Sequence, residues 1–334
     1  MKEYMRRIPS LFLSILAISA SSCQVIQNRA LQSVADMLAS PEGTSTFASD
    51  DDPRLVGDSL PLALKLHEIV LSKDPENADL AAATGRNFVM YAAAYVQMPA
   101  DMLDVAHWKE AAEARKRAKK LYLRGRNYLL EALELRHEGF NELLRLGSYD
   151  QAISLLNEED ADTVYWAALA WMGMASTDPL DIELGLSLDK AALLLFRSMQ
   201  LDGANSGIHD VMIQVYMSLP NSILVNMQER SPLISAYIDG FYTAAGVGSG
   251  AAERTMFHYN QAVFFSDGKT PAAHITMATA VSVKEQDAEG FRTYLEKALA
   301  INPDENPESR LITLIHQRRA RWLLENIELF FLEF

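Results

Sequence analysis

From Ser59 onward apolar residues return every three or four positions, and no run of apolar residues alternates with polar ones in the manner of a strand. A period near 3.6 collects such residues on one face of a helix, whereas a strand needs a period of two. The chain is therefore predicted to be all α. Its 334 residues are 49% hydrophobic, and a chain of this length buries a sizeable core without covalent staples.

Three helix endings look alike: LALKLHEIVLSKDPENADL (Leu62 to Leu80), KAALLLFRSMQLDGANSGI (Lys190 to Ile208) and FRTYLEKALAINPDENPESRL (Phe291 to Leu311). Each follows its apolar stripe with Asp or Asn beside Pro or Gly, then with polar residues suited to cap the next helix. Pro303 cannot continue the helix it ends. With Tyr294, Ala298, Leu299 and Pro303 in register, the third ending resembles the second helix of a tetratricopeptide repeat. Gly85 and Phe88 fall where that repeat places its small residue and its aromatic; Trp166, Leu169 and Ala170, and then Met212, Ile213 and Tyr216, stand in a similar relation. The endings at Asp74, Asp202 and Asn302 are not separated by multiples of the usual period of about 34. The expected fold is thus a compact α-solenoid of degenerate tetratricopeptide-like repeats with inserted long helices.

One insertion is predicted as a long helix from Trp108 to Glu138. Ala111, Ala114, Ala118, Leu121, Gly125, Tyr128, Ala132 and Leu135 form one stripe on it. Small residues dominate that stripe and let a neighbouring helix come close. The neighbour is either a helix of this chain, the preferred reading, or one from a second copy. A second insertion, Tyr237 to Arg254, contains AAGVGSGAAE; no strand precedes its glycines and no Lys-Ser/Thr follows, so it reads as a helix connector and not as a phosphate loop.

At the start, Lys2, Arg6 and Arg7 precede an apolar run, Ile8 to Ile18, and the small residues Ser19 to Ser22. This is the order of a signal peptide, and the run falls short of the roughly 20 apolar residues that span a bilayer. Small residues ahead of Cys23, the single cysteine of the chain, resemble the lipobox of bacterial lipoproteins, with Ala20 where leucine is usual. That resemblance implies cleavage before Cys23, lipid on its sulfur and an acylated new amino terminus, which together tether the protein to a membrane. The expected organisation is a signal peptide over 1–22, a lipidated N-terminus and linker over 23–58 that includes the turn-rich SPEGTSTFASDDDPRLVGDS, and one helical-repeat domain over 59–334. With no other cysteine, disulfides and cysteine-based metal sites or nucleophiles are excluded from the folded part.

The formal charge is −14 although the first 22 residues are net positive, so nucleic acid is a poor partner. The seven histidines include no HExxH motif and no pair four residues apart, and neither a metal nor another cofactor is predicted. Ser187 and Lys190 have an SxxK spacing without its companion motifs. No catalytic residue is assigned, and the chain is not read as an enzyme. The basic run EARKRAKKLYLRGR (Glu113 to Arg126) is either a solvated helix face or a contact for an anionic membrane or an acidic partner. Arg318, Arg319 and Arg321, beside Trp322, allow the same two readings.

NFVMYAAAYVQM (Asn87 to Met98), VYWAALAWMGM (Val164 to Met174) and VMIQVYM (Val211 to Met217) hold more Tyr, Trp and Met than one core-facing stripe requires. Burial between neighbouring helices accounts for that excess; so does an inner surface that receives a peptide, a protein or an apolar ligand. Together with the N-terminal signal, the repeats and the long inserted helix, these segments resemble the T component associated with TRAP transporters, across most of the chain after about residue 55. The resemblance implies a non-enzymatic periplasmic lipoprotein on a bacterial membrane, working beside the solute-binding P subunit of an importer of organic acids or small hydrophobic solutes. On it rests the expectation that the helical surface docks a P subunit and that an apolar cavity accepts or passes on a ligand. Tyr91, Tyr95, Trp166, Trp171, Met212 and Tyr216 are the lining candidates. The close-packing stripe and the apolar ELFFLEF at Glu328 to Phe334 point to a homo-oligomer, with a trimer as the working guess. The alternative is a helical-repeat scaffold for outer-membrane or envelope protein assembly.

Overall fold

The computed structural model of the protein describes Ala35 and residues 41–332. Among these residues the regular elements are helices, with no strand, as the apolar period predicts. The expected signal peptide and Cys23 lie outside the described residues. No described helix is long and apolar enough to cross a membrane.

Helices begin earlier than the linker expectation placed them. α1 (Pro41–Ala48) is followed by α2 (Pro53–Leu71), because the acidic cluster is also a helix start. The Asp52 carboxylate accepts from Arg54 N at 3.0 Å and from Leu55 N at 3.1 Å, and Pro53 occupies the first helical position, where its missing N–H costs nothing. α3 (Ala78–Tyr91), capped by Asn77, continues through a π-helical stretch (Ala92–Gln97) into a last turn (Met98–Asp101).

The long helix is α4 (Trp108–Arg136), close to its predicted span. Its small residues meet α3 of the same chain. A methyl on Gly85 would lie 2.7 Å from the Gly125 carbonyl oxygen, and one on Gly125 would lie 2.8 Å from that of Gly85. The two backbones are thus closer than any other residue pair would permit. Ala118 and Ala132 of the predicted stripe are fully buried, while Leu135, at its end, is 40% exposed.

Beyond α4 come α5 (Phe140–Leu146), α6 (Tyr149–Ser154) and α7 (Ala161–Thr177), the last packed along α4. They are followed by α8 (Ile182–Leu186), α9 (Leu188–Leu201), α10 (Ser206–Ser218) and α11 (Asn221–Arg230). α12 (Pro232–Ala245) and α13 (Ala251–Phe265) are separated by only 246–250, so the glycine connector is much shorter than the predicted insertion. α14 (Ala272–Thr276) runs through a second π-helical stretch (Met277–Ser282) into Val283–Glu285, and α15 (Ala288–Ala300) and α16 (Arg310–Glu325) complete the helices.

One large apolar cluster joins α2 through α12, around Phe88, Leu129, Val164 and Leu194. A second, around Ile275, Phe291, Leu295 and Leu323, unites α14, α15 and α16 and receives Phe331 from the C-terminal segment. Buried acids tie the first cluster together: Asp189 accepts from Tyr149 (2.7 Å), Arg230 (2.8 Å) and Asn226 (3.1 Å), and Asp160 accepts from His137 at 2.6 Å. α16 then returns to α1 and α2, and Arg310 reaches the Ser49 carbonyl at 3.5 Å. The first and last described helices therefore touch.

Candidate functional site

At that junction α2, the π-helical stretch after α3, and α16 enclose a cavity of ≈ 510 Å³. Its origin is local. Pro99 has no N–H, and its ring would press on the Tyr95 carbonyl if the helix stayed α. Instead the Met98 N–H reaches back five residues to the Ala93 carbonyl, which widens the turn. Ala94, Tyr95, Met98, Pro99 and Met102 consequently line the space, with Tyr91 beside them and Leu314 and Ile315 opposite. Gly57 completes the wall: a methyl there would lie 2.6 Å from the Tyr95 ring.

The tyrosine pair forms an aromatic surface, its rings 5.9 Å apart and stacked. Arg117 donates to the Tyr91 hydroxyl at 3.2 Å. The Tyr95 hydroxyl is buried and has no hydrogen-bond partner. Burial, reinforced by Asp50 and Asp52, pushes its pKa up to about 12, so it keeps its proton. The rim is charged. Asp51, Arg54 and Asp58 come from the α2 side, and Arg318 and Arg321 come from α16. Arg54 approaches Asp58 at 4.0 Å with both side chains well exposed, an arrangement worth little.

Of the six predicted lining residues, Tyr91 and Tyr95 share this cavity. Trp166 is half-buried on α7 and donates to Asp162 at 2.9 Å. Trp171 is buried, donates to Ser187 at 3.1 Å and carries the Arg126 guanidinium over its ring at 4.8 Å. Ser187, the first residue of the SxxK spacing, is thus occupied in holding an indole. Met212 is fully buried in the main core. Tyr216 belongs to a buried polar chain.

That chain was not anticipated from the sequence, because its members come from three helices. The His209 and His258 Nδ1 atoms lie 2.7 Å apart, His258 Nε2 is 2.6 Å from the Tyr242 hydroxyl, and the Tyr242 hydroxyl is 2.7 Å from that of Tyr216. The Gly203 carbonyl can only accept, so His209 Nε2, at 3.0 Å, carries a hydrogen. Neutral His209 then accepts at Nδ1 from His258, whose Nε2 in turn accepts from Tyr242. Burial holds both rings neutral, His258 at a pKa of about 2. With His209, His258 and Tyr242 sealed from solvent, the chain fastens α10, α12 and α13 together and offers no reacting atom to a substrate.

A smaller pocket of ≈ 160 Å³ adjoins the second π-helical stretch. Met217, Met256, Met277 and Tyr294 line it, with Glu285 and Asp287 at its edge. Among the described residues no group of His, Cys, Asp and Glu side chains converges as a metal site.

Two comparisons with known proteins bear on this chain. The model of the family described as TRAP transporter T-component matches residues 49–228 and 234–331. A protein of Treponema pallidum (strain Nichols), described only as uncharacterized, is 29% identical over 301 residues, which cover 89% of this chain and 85% of its own.

Proposed function

The chain belongs to the TRAP transporter T-component family, whose members are transporter accessories and not enzymes, and from that premise we propose that it is a periplasmic lipoprotein that docks a solute-binding P subunit. Lipid on Cys23 tethers it to the membrane. The cavity at the junction of α2 and α16 takes a small apolar or organic-acid ligand from, or for, that partner.

The cavity itself is the observation that supports the ligand half of this reading. Its ≈ 510 Å³ falls in the range of about 300–1,000 Å³ usual for small-molecule sites. Its lining by Tyr91, Tyr95, Met98 and Met102 is aromatic and thioether, and its charged groups come from exposed residues at the rim. The docking half rests on family membership.

Cross-linking the native lipoprotein in its own envelope, followed by capture and mass spectrometry, tests the partner. A periplasmic solute-binding protein among the cross-linked species is the expected result. Recovery of outer-membrane assembly machinery with no solute-binding protein overturns it and favours a scaffold.

A further inference from the structure

The two sides of the cavity rim differ in charge. On α2, Arg54 faces Asp58, and Asp51 lies beside them. On α16, Arg318 and Arg321 stand three residues apart on the side that also presents Leu314, and neither has an ion-pair or hydrogen-bond partner among the described residues. Exposed arginines are ordinary on a surface. These two stand at the mouth of a cavity with an aromatic and thioether floor, in a chain of formal charge −14. A guanidinium is a planar fork that matches a carboxylate or a phosphate, and it is shed by water more readily than an ammonium. Methionine side chains adapt to irregular aliphatic shapes. The carboxylates of Asp51 and Asp58 turn an anion away from the α2 side, which directs an acidic group toward α16. The Tyr95 hydroxyl, a donor without a partner, belongs to the same lining.

We propose that this cavity takes an amphipathic anion, its acidic head held by Arg318 and Arg321 and its aliphatic body laid over Tyr95, Met98 and Met102. The inference rests on the proposal that the cavity binds a ligand, and it names that ligand's class: one alkyl chain ending in a carboxylate or a phosphate.

Three photoreactive probes test it on the native lipoprotein in isolated envelopes. Each has a twelve-carbon chain bearing a diazirine and a terminal alkyne; one ends in a carboxylate, one in a phosphate and one in a hydroxyl. After irradiation the protein is captured and the labelled peptides are mapped. The expected result is labelling within 91–102 or 314–321, at least about tenfold stronger for an acidic probe than for the alcohol, as suits the loss of charge-assisted hydrogen bonds. The stronger of the two acidic probes identifies the head group. In R318Q/R321Q, which alters two exposed side chains and leaves the core intact, labelling by the acid should fall to the level of the alcohol. Equal labelling by acid and alcohol, unchanged in R318Q/R321Q, overturns the head-group assignment while the cavity remains a ligand site. Absence of labelling in these segments by all three probes overturns the ligand site as well.

Discussion

The two π-helical stretches, Ala92–Gln97 and Met277–Ser282, have the same hydrogen-bond offset for different reasons. In each, the next N–H reaches back five residues, Met98 to Ala93 and Val283 to Ala278. Pro99 forces the first. No proline follows the second; there the Thr279 hydroxyl donates to the Ile275 carbonyl at 2.9 Å and competes with the backbone for it. Their surroundings differ more. The first opens on a large cavity with arginines on its rim, the second on a small pocket edged by Glu285 and Asp287. Widened helical turns often accompany functional sites, but here the turn alone does not distinguish a binding surface from a packing detail. What it faces does.

The sharpest separation should come from the methionines. Met277 is 1% exposed and packed with Ile213 and Ala262, so Met277→Ala should cost about 2–5 kcal/mol. Met98 is half-buried at the cavity, and Met98→Ala should cost less than about 1 kcal/mol, since its side chain is only partly removed from water. Urea denaturation followed by circular dichroism measures both; equal losses would erase the contrast. Next is Gly57→Ala, whose methyl drives the Tyr95 ring toward the cavity. A destabilisation of roughly 1–3 kcal/mol is expected, together with weaker capture of the acidic probe.

The second stretch should also respond to acid, as should the helices around the first through His67 and His316, whose pKa values burial likewise lowers to about 4. His274 lies one turn before it, 8% exposed, and hydrogen-bonds the Tyr259 hydroxyl at 3.0 Å. Burial, and then the charge of Lys297, lower its pKa from 6.5 to about 4. The unfolded chain therefore binds a proton near pH 6.5 that the folded protein refuses until about pH 4. Stability is complete above the unfolded value and falls as the pH drops below it, by on the order of 2 kcal/mol at pH 5 for this one group. His274→Gln should remove that portion of the difference between urea midpoints at pH 7 and pH 5; an unaltered difference would show that the ring titrates normally. The smallest effect belongs to R318Q/R321Q, within about 0.5 kcal/mol of the parent in the same unfolding assay. That near-silence is what makes the pair usable as a probe of binding.

Much of the helical architecture was legible because it depends on local chemistry. The span of α4 and its small-residue stripe follow from the spacing of Ala and Gly along it, and Gly85 and Phe88 stand where a helical repeat needs a small residue and an aromatic. Boundaries shifted where one signal had two meanings: Asp52-Pro53 looks like linker by composition yet is a helix cap, and Tyr237 to Arg254 looks like an insertion yet is mostly α12 and α13. The cavity was half legible. Tyr91 and Tyr95 stand out by the excess of aromatic residues around them, and the arginines of the last helix by their charge. Nothing local connects them with Gly57 or Asp58. The buried chain from His209 to Tyr216 was invisible for the same reason, since each histidine alone looks like an ordinary residue on a helix face.

The contact between the first and last helices sets the order in which the cavity can come into being. Arg310 and Ser49 are separated by 261 positions, so the wall that carries Arg318 and Arg321 is synthesised long after the one that carries Gly57 and Tyr95. Until α16 arrives, Tyr91, Tyr95, Met98 and Met102 form an open apolar shelf on a nascent chain. Closing so long a loop is slow compared with local helix pairing. The pocket is therefore a late product of folding, and a chain released before α16 would keep most of its large core while exposing its stickiest surface.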